Sequence, residues 1–181
     1  DHMFRFNQAD NGQAAALFER ALALNPDFSR ALSGLSFTSF QDSFLQYSGS
    51  GDAMALRARR LAEQALACDP LDPFAHLNLG RSLWFDNAVP ESLERLAQCI
   101  ALSPNYAQAI YSRAWAEMTQ GDASNSDAHA ALALRLSPLD PVNFNIHAGI
   151  GSTYVVEGRD NDGKVHAFTV TKIKGDTVLM D

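Results

Sequence analysis

Histidine, cysteine and carboxylate side chains are the groups in this chain that could hold a metal ion or act as a nucleophile or base. The histidines are dispersed, and none forms an HxxE, HxxxH or HExxH pattern with a partner; they are His2, His76, His129, His147 and His166. The chain has no Walker loop and no GxGxxG motif, and Ser152 has no GxSxG context. We therefore expect no catalytic residue, no cofactor and no metal site, and we expect that the chain is not an enzyme.

The remaining reactive groups have structural interpretations. Cys68 and Cys99 lack CxxC spacing and lie near the ends of predicted inward-facing helices, so both are expected to be buried thiols. Asp69 and Asp72 lie at predicted helix boundaries, where a carboxylate caps free backbone N–H groups. His76 and His129 are expected on solvated helix faces.

Composition bounds the class of protein. The chain has 181 residues, 46% of them hydrophobic, and a formal net charge of −7, with a pI near 5.1. This is enough for one domain and a small appendage, and the acidic balance argues against non-specific binding to nucleic acid or anionic membranes. No apolar run reaches the roughly 18 residues of a membrane span. Free thiols and the absence of a visible signal peptide favour a cytoplasmic location, and Asp1-His2-Met3 resembles a vector-derived sequence and is left out of the fold prediction.

Four apolar runs end in a proline, and their spacing is the main clue to the architecture. Pro70, Pro104 and Pro138 are separated by 34 residues each, and Pro26 precedes Pro70 by 44, which is one period plus ten residues. A fixed period of about 34 is typical of a solenoid of helix–turn–helix units. Such arrays usually bind other proteins and carry no chemistry of their own.

Apolar periodicity within each unit predicts two helices. The predicted helices are 73–85 and 90–102 in one unit and 107–120 and 127–136 in the next. Asp86-Asn87 and Gly121-Asp122 supply the turns, and Gly80 is small where two helices would cross closely. Pro90 suits a first helical turn, where its missing N–H costs nothing.

These residues resemble the tetratricopeptide repeat family over about residues 4–144. The pattern residues shared with the family are Ala14, Phe18, Ala21 and Pro26; Ala58, Ala65 and Pro70; Leu79, Gly80 and Pro104; and Ala114, Gly121, Ala133 and Pro138. Ser92 and Cys99 replace two of the family's alanines. The resemblance implies a mainly α fold: a right-handed α-solenoid of about four helix pairs spanning residues 4–150.

In this family, the first helix of each pair lines a concave groove that binds partners. The resemblance implies that the groove carries Arg30, Phe37, Phe40, Phe74, Leu77, Arg81, Trp84, Phe85, Tyr111, Trp115 and Met118, with Ser33, Gln41, Gln108 and Thr119 on the same faces. Some members bind acidic peptides through a clamp of lysine and asparagine side chains. At the clamp positions this chain has Leu77, Tyr111, Arg81 and Trp115 instead, so an apolar or amphipathic peptide or helix is the better partner. The alternative is that Trp84 and Trp115 pack against each other or under a loop.

Three segments, residues 24–31, 69–76 and 136–141, are similar to the repeat domains of bacterial transcriptional regulators and class III adenylate cyclases. This implies a docking or regulatory module of a bacterial signalling protein. The ten extra residues are placed at 41–52, where Ser48-Gly49-Ser50-Gly51 predicts a flexible loop that is either mobile or folded over the groove.

The C-terminal residues do not repeat. Residues 142–156 allow one more helix, but alternation over 165–173 and turn signals at 161–164 and 174–177 predict a short β-meander over residues 151–181. This segment resembles the flap of SlyD-type FKBP prolyl isomerases without their aromatic pocket. It indicates either a fusion or a natural β appendage.

Three functions are therefore expected. The first is a protein-interaction module with a protein or peptide partner, no nucleic acid and no membrane. The second is a chaperone- or isomerase-related fragment that binds unfolded chains through residues 151–181. The third is self-association, as a homodimer, through an uncapped apolar end at residues 130–158.

Overall fold

A computed structural model describes residues 2–139 in full and, beyond them, the backbone of three stretches between residues 155 and 180. A short 3-10 turn at His2–Phe4 precedes seven α-helices in residues 2–139. The helices are α1 (Gln8–Leu24), α2 (Ser29–Leu45), α3 (Gly51–Cys68), α4 (Pro73–Phe85), α5 (Val89–Leu102), α6 (Ala107–Thr119) and α7 (Ala123–Leu136). Each helix packs against the next, and α4 also packs against α2 and α6. The first helices of successive pairs therefore form one continuous face.

Proline phase and apolar periodicity predict the helix boundaries closely. Helix α4 has its predicted ends, and α5 begins one residue before Pro90, which lies in its first turn. Helix α7 begins four residues earlier than predicted, because the Asp122 side chain accepts a hydrogen bond from the Asn125 backbone N–H at 3.3 Å and caps the helix there.

The first helix of every pair ends in the same way. A residue with left-handed backbone follows each helix: Gln46 at φ 55°, Asn87 at φ 62° and Gly121 at φ 82°. In each case the next backbone N–H donates a hydrogen bond to the carbonyl five residues earlier. Examples are Ala88 to Leu83 at 2.9 Å and Asp122 to Glu117 at 3.0 Å. This closing motif satisfies carbonyls that the helix end would leave free.

The predicted number of repeats needs correction. Three helix pairs, α2/α3, α4/α5 and α6/α7, end before Pro70, Pro104 and Pro138. Helix α1 ends before Pro26 and has no helical partner on its N-terminal side among the described residues. Within residues 2–139 the array is therefore three pairs preceded by one helix, because the first unit contributes only its second helix.

The ten-residue insertion is mostly helical, whereas the sequence predicted a loop at 41–52. Helix α2 has 17 residues where α4 and α6 have 13, and α3 has 18 where α5 and α7 have 14. The insertion thus lengthens each helix by four residues, about one turn, and adds two residues between them. The connecting residues 46–50 are held by Asp42, whose carboxylate accepts from the Ser48 hydroxyl at 2.6 Å, and by Gln8, whose amide donates to the Tyr47 carbonyl at 2.9 Å.

Small residues hold the helices of each pair close together. The alanine, serine and cysteine positions of the repeat pattern are fully buried in the second helices at Ala58, Ala65, Ser92 and Cys99. Gly80 of α4 faces Leu96 of α5, and a methyl group added at Gly80 would lie 2.8 Å from the Leu96 Cγ. The central core cluster also contains Phe37, Phe74 and Leu77.

Residues 2–4, which were left out of the fold prediction in part, contact the array. His2 pairs with Asp10 at the start of α1. Met3 and Phe4 pack against the central core cluster. This apolar packing gives residues 2–4 a defined place on the array.

The predicted fold class needs a second correction at its C-terminal end. Residues 2–139 are all-α, with no strand, so no β-meander belongs to the described array. Beyond it, only backbone pairing is described: Val155–Arg159, Val165–Lys174 and Thr177–Met180 pair antiparallel in chain order, with Glu157 opposite Ala167 and Ile173 opposite Val178. Residues 140–154, 160–164 and 175–176, which hold the predicted extra helix, domain boundary and turns, lie outside the described residues.

Candidate functional site

A cleft with a volume of about 200 Å³ lies across the continuous face formed by α2, α4 and α6. Its lining is mainly aromatic and aliphatic, with four polar or charged side chains. The lining residues are Phe6, Phe37, Phe40, Gln41, Phe44, Leu45, Arg81, Trp84, Leu96, Gln108, Tyr111, Ser112 and Trp115. An apolar concave surface with a few polar groups is the usual form of a binding site.

Six of the predicted groove residues meet in this cleft: Phe37, Phe40, Arg81, Trp84, Tyr111 and Trp115. Gln41 and Gln108, on the same predicted faces, line it as well. The cleft uses the C-terminal halves of α2 and α4 and residues 108–115 of α6. The repeat phase therefore predicts the correct faces of the helices, and the structure adds which end of each face lies in the cleft.

The other five predicted residues lie outside the cleft. Phe74 and Leu77 are buried in the core cluster, and Phe85 is exposed beside Phe40 with 6.1 Å between ring centroids. Met118 is half-buried on α6 outside the cleft lining. Arg30 is exposed and pairs with the buried carboxylate of Asp72 at 3.4 Å.

Asp72 links the N-terminal ends of α2 and α4. Its buried carboxylate accepts a capping hydrogen bond from the Phe74 backbone N–H at 3.0 Å and another from the Ser33 hydroxyl, also at 3.0 Å. Asn78 adds a bond from its amide to the Ser33 carbonyl at 2.7 Å. These bonds tie the two helices together, so Ser33 serves packing rather than the cleft.

Sequence reasoning missed five lining residues. Phe44 and Leu45 belong to the extra turn of α2. This turn was predicted as part of a loop because the residues that follow it are rich in glycine and serine. Phe6 lies before the first repeat, and Leu96 reaches the cleft from α5. Ser112 is at one of the clamp positions of the family pattern, directly after Tyr111. The repeat phase could therefore have predicted that Ser112 lies on the groove face.

The aromatic rings form a continuous chain along the cleft. Phe40 stacks on Phe44 with 5.8 Å between centroids and an interplanar angle of 10°. Phe44 lies 6.4 Å from Trp84, Trp84 lies 6.2 Å from Trp115, and Trp115 meets Tyr111 edge-on at 6.3 Å. The two tryptophans therefore contact each other and also line the cleft, so both alternatives from the sequence describe part of the arrangement.

The polar groups between α4 and α6 in the cleft bind one another. Arg81 donates from Nε to the Ser112 hydroxyl at 2.8 Å, and its guanidinium lies 5.6 Å from the Phe37 ring centroid. Ser112 donates in turn to the Gln108 carbonyl at 2.7 Å. The Oε1 atoms of Gln41 and Gln108 are buried and have no hydrogen-bond partner among the described residues.

The predicted exposures of the histidines and cysteines need correction. His76 is buried, and its Nε2 donates to the Pro70 carbonyl at 2.9 Å. His129 is half-buried and binds Glu117, which also pairs with Arg113 at 2.8 Å. Cys99 is buried as predicted, but Cys68 is exposed at the end of α3. All four of these side chains lie outside the cleft lining.

Two negative findings concern the described residues alone. Within residues 2–139, histidine, cysteine and carboxylate side chains do not assemble in groups of three or more able to hold a metal ion. None of the helices in the same range has the length and apolar composition that a bilayer-spanning segment requires.

Comparison with known proteins supports the fold. No protein-family model matches the chain, and no curated protein matches it. Among solved structures, the thermophilic TPR protein TTC0263 of Thermus thermophilus is similar at a TM-score of 0.63 and 17% identity, covering 79% of this chain and 72% of that one. The protein MamA is similar at a TM-score of 0.58 and 18% identity, covering 81% and 78% respectively.

A third similar structure is the type III secretion translocator chaperone SycD of Yersinia enterocolitica, at a TM-score of 0.50 and 13% identity, covering 65% of this chain and 82% of that one. The comparisons give no support to the narrower resemblances to bacterial regulators, adenylate cyclases or SlyD-type isomerases. At these identities the similarity concerns the fold alone. The chain has the fold of tetratricopeptide repeat proteins.

Proposed function

We propose that residues 2–139 are a protein-interaction module whose cleft binds an apolar segment of a partner protein. The chain of aromatic rings from Phe40 to Tyr111 is the observation that carries this proposal. Large, rigid aromatic side chains supply contact area at little cost in conformational entropy, and they dominate binding energy in protein interfaces. Docking within a bacterial signalling or transcription regulator is the role suggested by the sequence.

The polar groups support a peptide as the occupant. The Gln41 and Gln108 side chains line the cleft, and an amide side chain can pair with the backbone of a bound segment. Its side chains would be apolar, because the walls are aromatic and Arg81 is the charged residue of the lining. The chain's lysines are at positions 164, 172 and 174, outside the array, so a lysine clamp for an acidic peptide is not part of the proposal.

Phe44 and Phe28 make a matched pair of substitutions for the test. Both are phenylalanines of similar exposure, at 46% and 45%, but Phe44 lines the cleft and Phe28 does not. Peptides are selected from a displayed random library on the wild-type chain, and their Kd is measured by fluorescence anisotropy. Phe44→Ala should weaken binding about tenfold or more, as expected for an aromatic anchor, and Phe28→Ala should leave the Kd unchanged.

Two outcomes would contradict the proposal: selection that enriches no apolar or aromatic peptide, and peptides that bind both variants equally well. The thermal unfolding of both variants is measured in parallel. Because each side chain is nearly half exposed, both variants should fold.

A further inference from the structure

Residues 2–6 lie on the predicted groove face. The Phe4 ring is 5.6 Å from the Phe37 ring between centroids, at an interplanar angle of 60°. Phe37 lines the cleft and also meets Phe74, again at 5.6 Å between centroids. Phe4 therefore extends the aromatic packing of the groove with a residue from outside the repeats.

The backbone of the same segment is held by a cleft residue. Gln41, which is only 4% exposed, donates from its side-chain amide to the Met3 carbonyl at 2.8 Å. Met3 and Phe4 pack together against the cluster that includes Phe37, Phe74 and Leu77. An amide that binds a main-chain carbonyl beside an aromatic contact is the kind of recognition that a groove uses for a bound peptide.

Phe6 adds a third contact and a strained backbone. Its ring lines the open cleft, and its φ of 50° is in the left-handed region, which is unfavourable for a bulky side chain. Such strain costs about 1–3 kcal/mol and persists only where the surrounding contacts compensate for it. The segment is thus held by its groove contacts against a local conformational cost.

We propose that residues 2–6 are an intramolecular ligand of the groove, and that a partner segment that contacts Phe37 and Gln41 displaces them. The displacing segment has the same chemistry: two aromatic side chains separated by one residue, as in Phe4 and Phe6, with a preceding backbone carbonyl for Gln41. This inference rests on the proposed function, because it names the partner chemistry and the regulation of the same groove. A tethered competitor has an effective concentration in the millimolar range, so it sets a threshold for partner affinity.

The test uses the full chain and a labelled synthetic peptide with the sequence of residues 2–7, His-Met-Phe-Arg-Phe-Asn. In Phe4→Ala the internal competitor is weakened while the groove is intact, so the peptide should bind about tenfold more tightly than to the wild-type chain. Leu17→Ala, an exposed position on α1, is the matched control and should leave the affinity unchanged. A peptide with alanine in place of both phenylalanines should not bind.

A second measurement does not depend on the variant's folding. 4-Fluorophenylalanine at position 4 of the otherwise wild-type chain should show a fluorine NMR shift toward that of a solvent-exposed ring when a library-selected peptide is added. Unchanged peptide affinity in a folded Phe4→Ala chain, or an unchanged fluorine signal at saturation, would overturn the inference. Library peptides that still depend on Phe44 would then leave the proposed function supported and remove only the displacement.

Discussion

The indole rings of Trp84 and Trp115 pack 6.2 Å apart between centroids, at an interplanar angle of 58°, and join α4 to α6 at the cleft surface. Each ring continues into a further aromatic contact, Trp84 with Phe44 and Trp115 with Tyr111. The same two side chains thus connect neighbouring repeats and line the cleft. A substitution at this position therefore changes both the packing of the repeats and the wall of the cleft.

A double-mutant cycle on this pair should show a coupling energy. Trp84→Ala and Trp115→Ala should each lower the free energy of unfolding, because each removes the contact between the rings and Trp84 also packs against the core cluster. The double variant should lose less than the sum of the single losses by about 0.5–1.5 kcal/mol, the usual value for an aromatic pair. Urea unfolding measures all four proteins.

A cycle between Trp84 and Phe28 serves as the control, since Phe28 is not among the rings of the aromatic chain. Additive losses for the tryptophan pair would show that their contact contributes nothing. Because a change at Trp84 affects the core, Phe44→Ala reports on binding more cleanly.

Two glycines should respond to alanine with opposite signs. At Gly80 the new methyl group would lie 2.8 Å from Leu96 Cγ and 3.4 Å from the Ser92 carbonyl oxygen, so Gly80→Ala should destabilise the chain by about 1–3 kcal/mol. At Gly12, in α1, a methyl group meets nothing within 4 Å, so Gly12→Ala should stabilise the chain by about 0.5–1 kcal/mol. Urea unfolding of both variants measures the signs, and a neutral Gly80→Ala would mean that α4 and α5 are less closely packed than described.

The two thiols should differ in reactivity. Burial raises the pKa of the Cys99 thiol to about 12, whereas Cys68 is exposed. At about pH 8, a chromogenic aromatic disulfide should modify Cys68 rapidly and Cys99 only after unfolding, because the thiolate is the reactive species. Mass mapping of the labelled chain identifies the site, and rapid labelling of Cys99 in the folded chain would contradict its burial.

The raised pKa of Cys99 predicts how the stability of the chain changes at alkaline pH. The pKa of the Cys99 thiol rises from its ordinary value of 9.0 in the unfolded chain to about 12 in the folded chain, and burial also raises the pKa of Tyr106 from 10.0 to about 12. Since the unfolded state loses its protons first, the free energy of unfolding should fall as pH rises from about 9 toward about 12. Cys99→Ala should show a shallower fall over this range than the wild-type chain, as measured by urea unfolding at several pH values.

The sequence was most informative where local chemistry repeats with the period of the fold. The phase set by Pro70, Pro104 and Pro138 predicted the helix ends and the faces that carry Phe37, Arg81 and Trp115, because equivalent positions have equivalent surroundings in a solenoid. The extra turn of α2 was missed because the glycines and serines after it dominated the local composition. Contacts of Phe6 with the cleft and of His76 with Pro70 were missed because they depend on tertiary packing, for which neither residue type nor spacing carries a signal.

The extra turns of α2 and α3 are at the tip of their hairpin, away from the prolines that fix the start of one helix and the end of the other. Residues added at such a tip leave the register of the rest of the array unchanged, yet here they supply Phe44 and Leu45 to the cleft wall. The length of the cleft wall is therefore a variable separate from the register of the stack. In protein engineering, lengthening or shortening this one hairpin in whole turns is a way to change ligand preference while conserving the scaffold.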